Sequence, residues 1–136
     1  MLPAEHRLRE PELFRLATRR GRRSGNSELV VHAVTGEEIQ GTLVGFVVPK
    51  RVYPRAVDRN RTKRQLRHLM RERLVIIPDQ TLVVVRALPG IRGRSFAEIE
   101  TSLDSALTRT LAKLKRFERE RLQQMKRNRG KLCEAF

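Results

Sequence analysis

The stretch SFAEIETSLDSALTRTLAKL, residues 95–114, restricts the possible folds most. Phe96, Ile99, Leu103, Leu107, Leu111 and Leu114 recur at three- and four-residue steps, which places them on one side of an α-helix. Ser95 and Glu98 form a capping box, each side chain satisfying a backbone N–H of the other residue, so the helix has a defined start. A helix with one apolar side packs on another apolar surface, and the chain offers that surface as strands. SELVVHAV (27–34) and GTLVGFVV (41–48) are rich in β-branched residues, with TGEE between them as a turn. TLVVVRA (81–87) is a further strand, closed by Pro89-Gly90, and residues 22–26 add a short edge strand.

Two more helices complete the pattern. In PELFRLATRR (11–20), Pro11 suits the first helical position and Gly21 the residue after the last turn. Leu13, Leu16 and Ala17 share one stripe, and Phe14 and Thr18 a neighbouring one. Residues 57–74 have helical period, with Asp58 as N-cap. Residues 115–136 are charged and weakly apolar, and read as a helical extension that frays toward its end. No internal repeat or long linker divides the 136 residues, which suit one domain. The expected architecture is α+β in the order αβββαβα, one sheet with helices packed on it.

Charge narrows the partner. Thirty Lys and Arg oppose 15 Asp and Glu, a formal net charge of +15. Such an excess repels itself and attracts polyanions, nucleic acid first and anionic membrane second. No apolar run approaches the roughly 18 residues of a spanning helix, and the start, MLPAEHRLREPELF, lacks the apolar stretch of a secretory signal. The lone Cys133 makes neither an internal disulfide nor a metal cluster. A cytoplasmic protein facing nucleic acid is the expectation.

The charge is concentrated in DRNRTKRQLRHLM (58–70) and its continuation, where within 59–73 only Glu72 opposes seven Lys and Arg. At about 100° per residue, Asn60, Arg64, Arg67 and Arg71 form one stripe, with Arg61 and His68 beside it. Leu66, Leu69 and Met70 lie roughly opposite, so one side packs while the other presents guanidinium groups. Arg59 and Arg73 fall nearer the apolar side and are expected to reach outward along its edges. Like charges four residues apart weaken an isolated helix by a few tenths of a kcal/mol per pair. Phosphates relieve that repulsion, and arginine grips them with two hydrogen bonds.

The acids do not converge. Glu37 and Glu38 fall in a turn, Glu100 and Asp104 on one helix side, and all four read as solvated surface. His6, His32 and His68 lie in different elements, so no active site is expected. Gly90-Ile-Arg-Gly-Arg-Ser95 reads as a flexible basic loop, with phosphate capture by Arg92, Arg94 and the helix start as the other reading.

GFVVPKRVYPRAVDRNRTKRQLRHLM (45–70) resembles the signature of the bacterial ribonuclease P protein subunit. The residues that carry the likeness are Val48, Lys50, Arg51, Ala56, Val57, Arg59, Asn60, Arg61, Lys63, Arg64 and Arg67. Arg7-Leu8-Arg9 with Phe14 and Gly21 is similar to the family's N-terminal stretch. Arg86-Ala87 through SFAEIETSL is similar to its C-terminal part. The likeness covers about residues 6–115, giving a domain at 1–115 and a basic helical extension or tail at 116–136.

This resemblance implies a four-stranded mixed sheet with a left-handed βαβ crossover, like the second domain of ribosomal protein S5. It also implies a noncatalytic protein, partner one-to-one to a catalytic RNA whose bound Mg²⁺ cleaves the 5′ leader from precursor tRNA. The implied RNA-binding residues are Lys50, Arg51, Arg59, Asn60, Arg61, Lys63, Arg64, Arg67 and Arg71. A leader cleft between the first helix and the sheet would use Phe14, Thr18 and His32. The family often has a second aromatic where this chain has Thr18. A general RNA chaperone or ribosomal RNA-binding protein is the alternative, and an architectural DNA binder a third reading. An aromatic content of 4% disfavours a broad single-strand binder, which needs several stacking rings.

Overall fold

Seven elements form in the expected order: α1 (Pro11–Arg20), β1 (Arg22–Gly25), β2 (Leu29–Thr35), β3 (Thr42–Val47), α2 (Ala56–Arg73), β4 (Thr81–Ala87) and α3 (Phe96–Glu134). This computed structural model describes residues 6–8, 10–37 and 39–134, without the side chains of 129–134. Expectations involving Arg9, Glu38, the Cys133 side chain and the tail's last two residues lie outside the described residues.

The sheet is four-stranded and mixed, in the order β1-β2-β4-β3. β2 pairs antiparallel with β1 and β4, while β3 and β4 run parallel through the α2 crossover. β4 is central and covered on both sides, which explains why TLVVVRA reads as an almost unbroken apolar run. Alternation along the strands divides the core in two. Leu29, Val31 and Ala33 of β2 and Val83, Val85 and Ala87 of β4 meet Leu66, Leu69 and Met70 of α2 and the Leu103–Leu107 stripe of α3. On the opposite side Leu82, Val84, Leu43 and Val47 meet α1 through Leu13, Phe14 and Ala17. Leu16, which shares a stripe with Leu13 and Ala17, is half-buried like Phe14, but it is Phe14 that joins this cluster.

The ends of the helices show what local pattern could and could not anticipate. Ser95 and Glu98 make the capping box, with Glu98 N–H donating to Ser95 Oγ at 3.2 Å and Ser95 N–H to Glu98 Oε1 at 3.4 Å. Asp58 is not the N-cap of α2. Extended Arg55 holds that position, and its carbonyl accepts the Arg59 N–H at 3.2 Å. Asp58 instead lies in the first turn, where a negative charge suits the helix dipole. Gly21 does end α1, but with φ −72° and ψ 158° it does not use left-handed freedom. A Cβ there would lie 2.3 Å from the Ala17 carbonyl oxygen and 2.8 Å from that of Ala33. Close approach of helix and strand is what requires glycine.

α3 runs on as one helix through Glu134. It starts beside α2, where Phe96 is 40% exposed rather than buried with the leucines, its ring 6.1 Å from that of His68. It then crosses the sheet to the β1 edge, where Arg109 donates to the Gly25 carbonyl at 3.3 Å and Lys113 to that of Arg23 at 2.9 Å.

Candidate nucleic-acid interface

On α2 the apolar side is buried through Leu66, Leu69 and Met70, with Thr62 donating to the Asp58 carbonyl at 3.1 Å. That packing leaves Asn60, Arg61, Arg64, His68 and Arg71 exposed, with Lys63 and Arg67 half-buried at the margin. Among the described residues none of Arg61, Lys63, Arg64, Arg67 and Arg71 forms an ion pair within the protein. Their mutual repulsion is therefore not relieved by an ion pair with any described acid.

Arg59 and Arg73 do not reach outward. Arg59 NH1 turns back to the Tyr53 and Pro54 carbonyls at 2.9 and 2.7 Å, bracing the connector before the helix. Arg73, only 13% exposed, donates to the Leu69 carbonyl at 2.7 Å and to both oxygens of Asp104, with Glu100 at 3.5 Å. Glu100 and Asp104 are thus partners that tie α3 to α2, not free solvated acids. The Arg73 hydrogen bond holds the Asp104 carboxyl below its ordinary pKa, against a smaller opposing effect of burial.

The 90–95 segment is likewise fastened by its arginines. Arg92 donates to the Val52 carbonyl and, at 2.6 Å, to that of Arg51, fixing the connector that carries exposed Lys50 and Arg51. Arg94 pairs with Glu98 at 3.0 Å and Glu28 at 3.5 Å. The loop is therefore not a free basic segment, since both guanidinium groups have partners within the protein.

A cavity of about 430 Å³ opens at the β3 edge of the sheet. Arg7 and Leu8 line it from the N-terminal segment, Phe14 from α1, Val44, Gly45 and Phe46 from β3, and Lys63 and Arg67 from α2. The N-terminal segment is held there by the Leu8 N–H, which donates to the Val44 carbonyl at 3.0 Å. A Cβ at Gly45 would lie 2.5 Å from Phe14 Cζ, so the ring rests on bare backbone. The isolated glycine in GTLVGFVV was the available signal for this close approach. One half-buried aromatic ring and the edge of the basic stripe therefore share a single concavity, a juxtaposition that sequence spacing did not show.

The other expected cleft residues do not line it. Thr18 is exposed, its hydroxyl donating to the Phe14 carbonyl at 2.9 Å. His32 alternates onto the α1 side of β2 but is only 4% exposed, which leaves almost no ring surface for stacking. Its Nδ1 makes no hydrogen bond among the described residues. Burial, then the charges of Arg86 and Arg23, pushes its pKa below the ordinary 6.5. As pH falls below about 6.5, the unfolded chain takes a proton that the folded chain resists, so this group favours unfolding. Urea unfolding should accordingly show stability declining between pH 6.5 and 5.5, and His32→Leu should make that decline shallower. Equal slopes would mean that His32 is freely protonated in the folded protein.

Among the described residues no group of three or more His, Cys, Asp or Glu could hold a metal ion, and no helix is long and apolar enough to cross a membrane. The sequence model of the ribonuclease P family matches residues 2–111. The chain belongs to the ribonuclease P protein family. It is 50% identical over 119 residues to the ribonuclease P protein component of Streptomyces avermitilis, covering 82% of this chain and 96% of that one. The component from a Nocardioides species is 47% identical over 116 residues, covering 84% and 98%. The solved RNase P protein of Staphylococcus aureus superposes with a TM-score of 0.70 at 25% identity, covering 80% of this chain and 96% of that one. In this ribonuclease P family member the matched region ends close to Leu114, the last buried position of α3 among the described residues.

Proposed function

We propose that this chain is the protein subunit of a ribonuclease P ribonucleoprotein, acting in the cytoplasm one-to-one with a catalytic RNA to remove the 5′ leader of precursor tRNA. The observation that supports this most is the unpaired stripe of Asn60, Arg61, Arg64, Arg67 and Arg71 meeting the Phe14 cavity at Lys63 and Arg67. Phosphates of the catalytic RNA would lie along the stripe, gripped by guanidinium forks. A single-stranded leader would enter the cavity with a base against Phe14 and its backbone near Arg7, Lys63 and Arg67. The protein's part is to bind, orient and neutralise charge.

The Mg²⁺ that the family implies is assigned to the RNA. Two-metal phosphodiester hydrolysis needs carboxylates converging on ions about 3.5–4 Å apart. The described residues do not fit such a site, since Glu100 and Asp104 are held by Arg73. Chemistry is therefore attributed to the RNA subunit, and no step is routed through a protein side chain.

The test combines binding with function. A transcribed bacterial ribonuclease P RNA should cleave precursor tRNA at low Mg²⁺ when this protein is added, whereas the protein alone should be inert. Arg64→Ala with Arg67→Ala should weaken binding to that RNA, and each lost phosphate contact should flatten the log K against log salt slope by roughly 0.7–0.9. An unchanged slope would reduce the stripe to a solvated surface. Equal binding to any RNA without rescue of cleavage would favour a general chaperone.

A further inference from the structure

Beyond the region matched to the family, α3 continues past the sheet with a charge pattern of its own. At about 100° per residue, Lys115, Arg116, Arg119, Lys126 and Arg127 fall within an arc of about 120°. That arc lies opposite the stripe Leu103, Leu107, Leu111 and Leu114 that packs on the sheet. Glu118 and Glu120 fall outside it, so between Lys115 and Asn128 the arc contains no acid. All five cations are exposed, and none forms an ion pair among the described residues. The extension is anchored at its root, where the Arg22 guanidinium lies 3.7 Å over the Phe117 ring.

Position gives this pattern its meaning. α3 begins against α2, at Arg73, and leaves the sheet at the opposite edge, beside β1. At about 1.5 Å per residue, Glu100 to Arg121 spans roughly 30 Å. The two surfaces rich in unpaired cations therefore lie at opposite ends of the domain.

We propose that the helical extension is a second phosphate-binding arm, which grips an RNA partner about 30 Å from the α2 stripe. The inference rests on the proposed RNA partnership and adds a contact region to it. Charge complementarity selects the occupant, since five unopposed cations on a helix side suit a phosphate backbone. An anionic membrane would need a matching apolar side. Among the described residues of the extension the exposed apolar ones are Phe117, Leu122 and Met125, and one face of the Phe117 ring already holds the Arg22 guanidinium. Two tethered contacts on one RNA also reinforce each other, because the second forms at high effective concentration.

The test uses the full chain and a transcribed ribonuclease P RNA, with the salt dependence of binding as readout. Replacing Arg119, Lys126 and Arg127 together by Gln, a good helix former, should flatten the log K against log salt slope by about two. Affinity near 0.1 M salt should fall on the order of tenfold. Gln123→Arg, which adds a cation inside the arc, should steepen the slope, whereas Gln124→Arg, outside it, should do less. An unchanged slope in the triple variant, with Arg64→Ala/Arg67→Ala still effective, would overturn the arm and leave the parent reading intact. If neither set changes the slope, the parent reading itself fails. Binding to vesicles containing phosphatidylserine that is lost in the triple variant while RNA binding persists would reassign the arm to lipid.

Discussion

Phe14→Ala in the assembled ribonucleoprotein is expected to weaken precursor tRNA binding by several-fold to roughly a hundredfold while mature tRNA binds almost as before. The asymmetry follows because only the precursor carries the single strand proposed to stack there, and one base on one ring is worth about 1–3 kcal/mol. The same ring also packs, resting on Gly45 and joining the cluster of Leu8, Ala17 and Leu82. Deleting a fully buried Phe costs about 3–5 kcal/mol of stability. Phe14 is half-buried and lines an open cavity, so its loss should cost clearly less. Thermal unfolding must be followed beside binding. A collapse of the melting temperature with equal loss of both tRNA forms would make Phe14 a core residue and send the leader elsewhere.

Gly21→Ala should be among the most destabilising single-methyl additions in this chain. Its new carbon would meet the backbone oxygens of Ala17 and Ala33 at 2.3 and 2.8 Å, and neither is the flexible end of a side chain. α1 must then lift from β2 or unwind its last turn. Overpacking costs typically 1–3 kcal/mol and occasionally more, and the rigid neighbours place this substitution near the top of that range, at about 3 kcal/mol. Against a total stability of about 5–15 kcal/mol this is a large fraction. Gly41→Ala is the control. Gly41 has φ 70° with nothing within 4 Å of the added carbon, so only left-handed strain of about 1–2 kcal/mol applies. Urea unfolding of both variants reads the difference, and similar midpoints would mean that α1 yields easily.

α1 shows where pattern reading is strong and where it stops. Pro11 and the residues through Arg20 define the helix to the residue, since capping and propensity act locally. Periodicity gives the two stripes of this helix but not which contacts the sheet: Phe14 rests on Gly45, in a strand distant in sequence, while Leu16 stays out of that cluster. The same contrast separates Ser95 from Asp58. A capping box involves four consecutive residues and is legible, whereas the start of α2 depends on how the connector leaves the sheet.

The sequence by itself determined the element order, the α+β class, the basic stripe of α2 and its likeness to the ribonuclease P proteins. Periodicity, caps and charge density are properties of short segments, and short segments are what a sequence displays. Only the tertiary structure decided which charges remain available. Arg59, Arg73, Arg92 and Arg94 are as basic as Arg64 and Arg67, but backbone carbonyls or acids of the chain engage them. It also decided that Phe14, Arg7, Lys63 and Arg67 surround one cavity and that His32 is buried away from it. Apart from the short-range contacts of Arg59 with Tyr53 and Pro54 and of Arg94 with Glu98, these outcomes arise between residues tens of positions apart, whose distances no local pattern encodes.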